Sequence, residues 1–203
     1  MDALVMAGGI GLRMGHGEKP MQQLNGKPMI SYVIDALLKS ERIGPIHIAV
    51  SSRVPLTEAY ISKQYADHKN INIVMTPGAG YIQDTVFAVN VMALHKPFLI
   101  IASDLPLVTA AIIDSVVAAY EHCGKEALSV RVPVDLVDAP ELVLHDTGSD
   151  TVPASMNILD GAHMDRAQDE YVMVVEDPLL AVNVNYREDL VLCAGLLSKS
   201  SRA

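Results

Sequence analysis

The sequence predicts an α/β protein with a mostly parallel central sheet flanked by helices, and two observations carry that prediction. Short apolar runs alternate with stretches whose apolar residues recur at helical spacing, the rhythm of right-handed βαβ crossovers. The first of these runs lies in L-V-M-A-G-G-I-G-L-R-M-G-H-G-E-K-P, Leu4 to Pro20, and stops abruptly at a glycine-rich loop carrying two cations. It reads as a strand feeding a phosphate cradle, and open sheets of this kind bind ligands outside the carboxyl ends of their strands.

In order, Asp2 to Met6 reads as the first strand, bounded by the loop. Ile30, Val33, Ile34, Leu37 and Leu38 recur at helical spacing between Met29 and Ser40, with Pro28 at the entry. Pro45 to Ser51 reads as a strand, Thr57 to Tyr65 as a helix with Pro55 near its start, and Asn72 to Met75 as a third strand. Thr76 to Asp84 is a second glycine turn, able to pass beneath a base, running into a helix that lasts to about Leu94. Phe98 to Ala102 is a continuous apolar strand ending at Ser103-Asp104-Leu105-Pro106, and a helix from Thr109 to about His122 closes the first half. Beyond Gly124 the rhythm loosens. Ala127 to Val132, Thr151 to Leu159 and Tyr171 to Val175 read as strands, Leu179 to Val184 as a strand re-entering the sheet, and Tyr186 to Leu197 as the last helix. Pro133 to Asp150 carries acids, prolines and a D-T-G-S turn, and Ser198 to Ala203 reads as frayed.

With 203 residues the chain suffices for one domain with a full core, residues 1–122 forming a nucleotide-binding half and 123–203 an acceptor-side half. A formal net charge of −9 argues against extended nucleic acid as a partner, so an anion site here must be local. No apolar run approaches the roughly 18 residues of a membrane span. Asp2 in place of a basic start argues against a secretory signal, which makes the expected location cytoplasmic. Cys123 and Cys193 are isolated and suggest neither a disulfide framework nor a zinc site. The seven histidines show no metal-ligand spacing and no Ser or Cys sits in a nucleophile elbow, so hydrolase chemistry lacks support.

The chemistry concentrates in the loop. Gly8, Gly9 and Gly11 have no Cβ, so the amides following Ala7 can approach anionic oxygens closely and adopt dihedrals closed to other residues. Arg13 offers a planar fork and Lys19 a compact charge on a flexible stem, a pair that fits a triphosphate better than a single anion. A Walker A loop is excluded because Lys19 lies between Glu18 and Pro20. A dinucleotide fingerprint is excluded because Met14 holds the third glycine position and the next strand closes on Ser51, Ser52 and Arg53 without a carboxylate. The competing reading is a tight turn with an incidental Arg and Lys.

Asp104, at the end of an apolar strand, is placed to hold Mg²⁺ against triphosphate oxygens, since magnesium keeps waters and needs few protein ligands. It could instead cap a short turn. Asp84, four residues after Gly80, could accept from guanine's N1–H and amino group or be a solvated helix residue. Asn183 and Asn185 form N-V-N. Asn183 reads as a second metal or phosphate contact, and Asn185, three residues before Glu188, as an N-cap of the final helix.

The pattern A-G-G-x-G-x-R-M from Ala7 to Met14, followed by Lys19-Pro20, resembles the signature of the nucleotidyltransferase superfamily. The S-D-L-P context of Asp104 resembles its metal position, and N-V-N-Y-R-E-D-L resembles a segment of the molybdenum-cofactor guanylyltransferases. Over Met1 to Leu190, the opening M-D-A-L-V-M-A-G-G, G-A-G-Y-I-Q-D, S-D-L, V-P-A-S-M-N and N-V-N resemble the archaeal-type GTP:adenosylcobinamide-phosphate guanylyltransferases. Ser155 stands where that family suggests glycine, and Asp165 to Glu170 matches nothing in it. The resemblance implies a Rossmann-like nucleotidyltransferase fold, GTP and adenosylcobinamide phosphate as partners and Mg²⁺ as cofactor. It also implies that Arg13, Lys19 and Asp104 are catalytic, that Ala7, Gly8, Gly9, Gly11, Arg13, Lys19, Gly80 and Asp84 bind nucleotide, and that Asp104 and Asn183 hold metal. A homodimer is compatible with it. The corrin ring is expected on an open, partly apolar rim from Pro133 to Asn157. The rivals are a molybdopterin or sugar-phosphate nucleotidyltransferase and a non-catalytic nucleotide-binding regulator.

Overall fold

The computed structural model describes residues 1–15, 17–137 and 149–200, without the side chains of 199 and 200. The middle of the acid- and proline-rich stretch, including most of its D-T-G-S turn, and the last three residues lie outside that description. A seven-stranded sheet runs in the order β5 (Ile71–Thr76), β4 (Ile46–Ser51), β1 (Asp2–Met6), β6 (Pro97–Ala102), β8 (Thr151–Asp160), β7 (Ala127–Pro133), β9 (Glu170–Val174). All neighbours are parallel except β8, which runs antiparallel to both β6 and β7. The small strands β2 (Gln23–Leu24) and β3 (Lys27–Pro28) form a hairpin around Asn25 and Gly26, both at positive φ (50° and 78°) as a tight hairpin turn requires.

The central strands read as unbroken apolar runs because both of their faces are covered. Ala3, Val5, Ile48, Val50, Leu99 and Ile101 pack against α1 (Met29–Lys39) and α4 (Ala110–Cys123), through Ile30, Val33, Ile34, Ile113, Val116 and Val117. The alternating residues Leu4, Ala49, Phe98 and Ile100 meet Ala88 and Val89 of α3 (Tyr81–Val91). A third cluster of Met14, Leu24, Met29, Leu107, Val184 and Cys193 seats the glycine loop and the small hairpin against α5 (Arg187–Ser200). Burial pushes the Cys193 thiol up to about 12, with Asp189 adding to the effect, so it stays protonated and inert.

Leu179 to Val184 is not a strand. Asp177 Oδ1 accepts from the Leu179 amide (2.8 Å) and the Asp177 carbonyl from that of Leu180 (3.1 Å), which curls the chain after Pro178 into a turn. Leu180, Ala181 and Val184 are buried and Leu179 and Val182 half-buried because the segment covers the sheet's end, and it touches β6's exit through the Val184 amide on the Asp104 carbonyl at 3.0 Å.

Ser155 sits at φ 54°, the left-handed region that favours glycine. It lies in an irregularity of the β7–β8 pairing, where the partner of Ser129 is Asn157 but that of Arg131 is Pro153. The Asn157 side chain accepts from the Val130 amide there (3.3 Å), and Ser155 Oγ accepts from Asn183 Nδ2 (3.0 Å). The bulge thus aims Ser155 at the N-V-N segment. The Asp165 to Glu170 stretch is structural: Arg166 grips both oxygens of Glu126 (2.6 and 2.8 Å) and the Asp169 carbonyl accepts from the Glu126 and Ala127 amides, fastening β9 beside β7.

Candidate active site

The carboxyl ends of β1, β4 and β6 open into a cleft of about 310 Å³ beside the point where strand order reverses. Gly8, Gly9, Lys19, Gly80, Asp84 and Asp104 line it, together with Arg53 and Tyr81. Only Gly11 among the three signature glycines takes positive φ (64°), so Gly8 and Gly9 do not need glycine's dihedral freedom. A Cβ on Gly11 would stand 2.9 Å from Lys19 Cβ, because the chain doubles back against the loop there. On Gly9 it would meet nothing within 4 Å, leaving that wall of the cleft clear for an anion to approach the amides.

Glu18 explains how Lys19 is held. Its carboxylate, buried, accepts from the amides of Leu56 (2.8 Å) and Thr57 (2.6 Å) and from the Thr57 hydroxyl (2.6 Å). These lie at the start of α2 (Pro55–Gln64), whose own N-cap, Val54, offers no side-chain acceptor. A residue 38 positions away thus caps the helix and clamps the loop. The neighbouring Lys19 then reaches inward, its Nζ donating to Asp104 Oδ2 (2.5 Å) and Asn185 Oδ1 (3.0 Å).

Asp104 accepts from no backbone amide among the described residues, which removes the turn-cap reading, and its Oδ1 is buried without a partner. Asn185 departs from the sequence expectation of an N-cap. Because α5 starts at Arg187, the cap comes from Asp189, whose Oδ2 accepts from the amides of Asn185 and Tyr186 (both 2.7 Å), and not from an Asn185–Glu188 box. Asn185 is thereby free to meet Lys19. Asn183, held by Ser155, presents a buried Oδ1 with no partner. Asp84 is not solvated: buried, it accepts on Oδ1 from the amides of Gly78 (3.0 Å) and Ala79 (3.1 Å) and so fixes the second glycine turn. Beside it Tyr81 is half-exposed as a residue, yet its phenol is pushed up to about 12, first by its loss of water within the cleft and then by the negative charge of Asp104, and stays a neutral donor.

Arg13 is not on this cleft. It is exposed, with its guanidinium 5.9 Å from the Tyr186 ring, at a second pocket of about 350 Å³. That pocket is walled by Val132, Val152, Pro153, Ala154, Leu180, Val182 and Leu192 and includes Asn183 and Asn185. The two spaces meet at the N-V-N segment, since Asn185 of the second bonds Lys19 of the first. Sequence reasoning missed Glu18, Arg53, Tyr81 and Tyr186 as parts of the site. Arg53 carried a usable signal, as a cation just past the end of a strand adjoining β1.

Residues 3–155 match the MobA-like NTP transferase domain. The chain belongs to this family. It is 39% identical over 205 residues to the adenosylcobinamide-phosphate guanylyltransferase of Methanocaldococcus jannaschii, covering 98% of each chain. It is 28% identical over 132 residues to a probable molybdenum cofactor guanylyltransferase of Thermococcus gammatolerans, covering 64% of this chain and 62% of that one. Among solved structures, a CMP:2-keto-3-deoxy-manno-octonic acid synthetase complexed with CTP superposes with TM-score 0.71 at 10% identity, covering 98% of this chain and 99% of that one. The 4-diphosphocytidyl-2C-methyl-D-erythritol synthase of Anaerococcus prevotii gives 0.70 at 15%, covering 97% and 95%. These last two establish the fold, a Rossmann-like nucleotidyltransferase sheet.

The family generally uses a divalent metal. No group of three or more His, Cys, Asp or Glu side chains forms a metal cluster among the described residues. Two buried oxygens lacking a partner have the chemistry to serve a hard cation that keeps most of its waters, Asp104 Oδ1 at the first pocket and Asn183 Oδ1 at the second. No helix among the described residues is long and apolar enough to cross a membrane.

Proposed function

We propose that this nucleotidyltransferase moves GMP from GTP to adenosylcobinamide phosphate, giving adenosylcobinamide-GDP and pyrophosphate. The observation that carries the reading is the end-to-end likeness to an adenosylcobinamide-phosphate guanylyltransferase, 39% identical across 98% of both chains. Residues 1–122 supply the nucleotide side and 123–203 the acceptor side. GTP lies in the cleft at β1, with its triphosphate against the amides of the Ala7 to Gly11 loop and Lys19, and its guanine over the Gly80 turn with Asp84 as the acidic reader.

An oxygen of the acceptor's phosphate attacks the α-phosphorus in line, and the bond from that phosphorus to the pyrophosphate oxygen breaks. The phosphate monoester is already largely dianionic at neutral pH, its second pKa being near 6, so no general base is needed. The work left to the protein is to bring two anions together and neutralise the charge that builds on pyrophosphate. Lys19 brings its ammonium, bonded to Asp104 and Asn185, to that place and Tyr81 a hydroxyl. Arg13, beside the second pocket, is set to meet the acceptor's phosphate. Asp104 and Asn183 would hold Mg²⁺, which when bound supplies Lewis-acid neutralisation of the phosphate oxygens.

The test offers GTP, ATP, CTP and UTP with adenosylcobinamide phosphate, molybdopterin and a panel of sugar 1-phosphates, and reads products by mass spectrometry. Adenosylcobinamide-GDP from GTP alone is expected. Transfer to molybdopterin or a sugar without corrinoid turnover would replace the acceptor, and GTP binding without any transfer would favour a regulator.

A further inference from the structure

The pocket holding Arg13 poses a problem of scale. At about 350 Å³ it is at the small end of ligand sites, which run from about 300 to 1,000 Å³. A corrin macrocycle with its fringe of amide side chains is far larger than such a space admits. Yet the pocket is built as a binding site: its walls at Val132, Val152, Val182 and Leu192 are apolar, and its polar groups are Arg13, Asn183, Asn185, Tyr186 and Asp189, the last with one oxygen turned to the amides of Asn185 and Tyr186. That polar part adjoins the reaction centre, because Asn185 Oδ1 bonds the same Lys19 ammonium that bonds Asp104.

A ligand suited to this space is short, with an apolar segment against these walls and an anionic end near Arg13 and near Asn185, the residue that bonds Lys19. Within the acceptor named above, one part answers to that description: the amidopropyl arm that carries the phosphate. Resting on the guanylyltransferase reading, we infer that this pocket is the subsite for the phosphate-bearing arm, and that the corrin ring and its upper axial ligand remain outside it and are not read. The enzyme then distinguishes acceptors by the arm's length and polarity. Binding energy from a remote part of a substrate supports turnover only where that part is bound, so removing the ring should cost little.

The test supplies GTP and Mg²⁺ with three acceptors: adenosylcobinamide phosphate, cyanocobinamide phosphate and N-acetyl-1-aminopropan-2-yl phosphate, the arm alone. Guanylylated products are measured for each. The expected result is a kcat/KM within about tenfold across all three, the scale of one misplaced methylene and not of a lost recognition element. A larger loss for the arm alone, with the two corrinoids still turning over, overturns the inference and leaves the guanylyltransferase reading standing. No transfer to any of the three overturns that reading and the inference with it. A second arm uses Val182→Phe, which enlarges a half-buried wall of the pocket, with a thermal melt to confirm folding. It should raise the KM of every acceptor about tenfold while that of GTP stays within about threefold. An unchanged acceptor KM in the folded variant would place the arm elsewhere.

Discussion

Two residues whose environments are now defined carry sharp consequences. Asp104 has one oxygen on Lys19 and the other buried without a partner, so it is a counter-ion to Lys19 and, in the proposed reading, the residue that would hold the metal. Asp104→Asn keeps the shape but loses the charge. Turnover should fall on the order of 10²- to 10³-fold, and Mn²⁺ binding in the presence of GTP, followed by electron paramagnetic resonance, should weaken in parallel. Turnover close to the parent at saturating metal would remove Asp104 from the site. Gly11→Ala acts differently, since its Cβ would press on Lys19 at 2.9 Å and the backbone there is left-handed. Displacing Lys19 should cost far more in pyrophosphate release than in melting temperature, and the reverse pattern would make Gly11 a purely structural turn.

At the scale of elements, the clamp from Glu18 to α2 joins stability to function. Glu18→Ala removes the acceptor for two helix amides and a hydroxyl, a loss of about 1 to 2 kcal/mol by urea unfolding. A lower affinity for GTP should accompany it, because Lys19 is the adjoining residue. The far edge of the sheet gives a pH signature. The guanidinium of Arg166 bonds Glu126 and, with the Asp169 amide, holds its carboxyl at about 2 against an ordinary 4.5. A carboxyl lowered on folding stabilises the fold above its ordinary value, and that contribution is lost as pH falls through the folded one. In Arg166→Gln the Glu126 carboxyl should titrate nearer 4.5 by NMR, and the acid-unfolding midpoint should shift to higher pH. An unmoved titration would mean the pair does not persist in solution.

Much of this architecture is legible in the chain, for identifiable reasons. Strands covered on both faces write themselves as apolar runs, so β1, β4 and β6 could be read directly, and α4 begins one residue after the expected start because Thr109 is its cap. Burial without pairing misled at Leu179 to Val184, since an apolar run does not say whether a sheet or a covering turn hides it. The Asn-Gly pair of the small hairpin was a readable turn signal passed over. In the site, Lys19 and Asp104 were visible because local motifs mark them. Glu18, Tyr81 and Tyr186 were not, because their importance depends on contacts with distant residues. Asn183 and Asn185 differ in role through where α5 begins, a boundary that local propensity does not resolve.

For the whole molecule, the puzzle is that a chain of net charge −9 must gather two phosphate-bearing substrates. The fold answers by concentrating loop amides, Lys19, Arg53 and Arg13 around the carboxyl ends of its first strands and the N-V-N segment. In the proposed reading the two pockets that meet at Asn185 take the acceptor and GTP, and reaction occurs at the α-phosphorus between them. The decisive measurement follows the label from [α-³²P]GTP and from [γ-³²P]GTP in parallel reactions with adenosylcobinamide phosphate. The account predicts α-label in the corrinoid product and γ-label in pyrophosphate; γ-label in the acceptor with release of GDP would show phosphoryl transfer and contradict it.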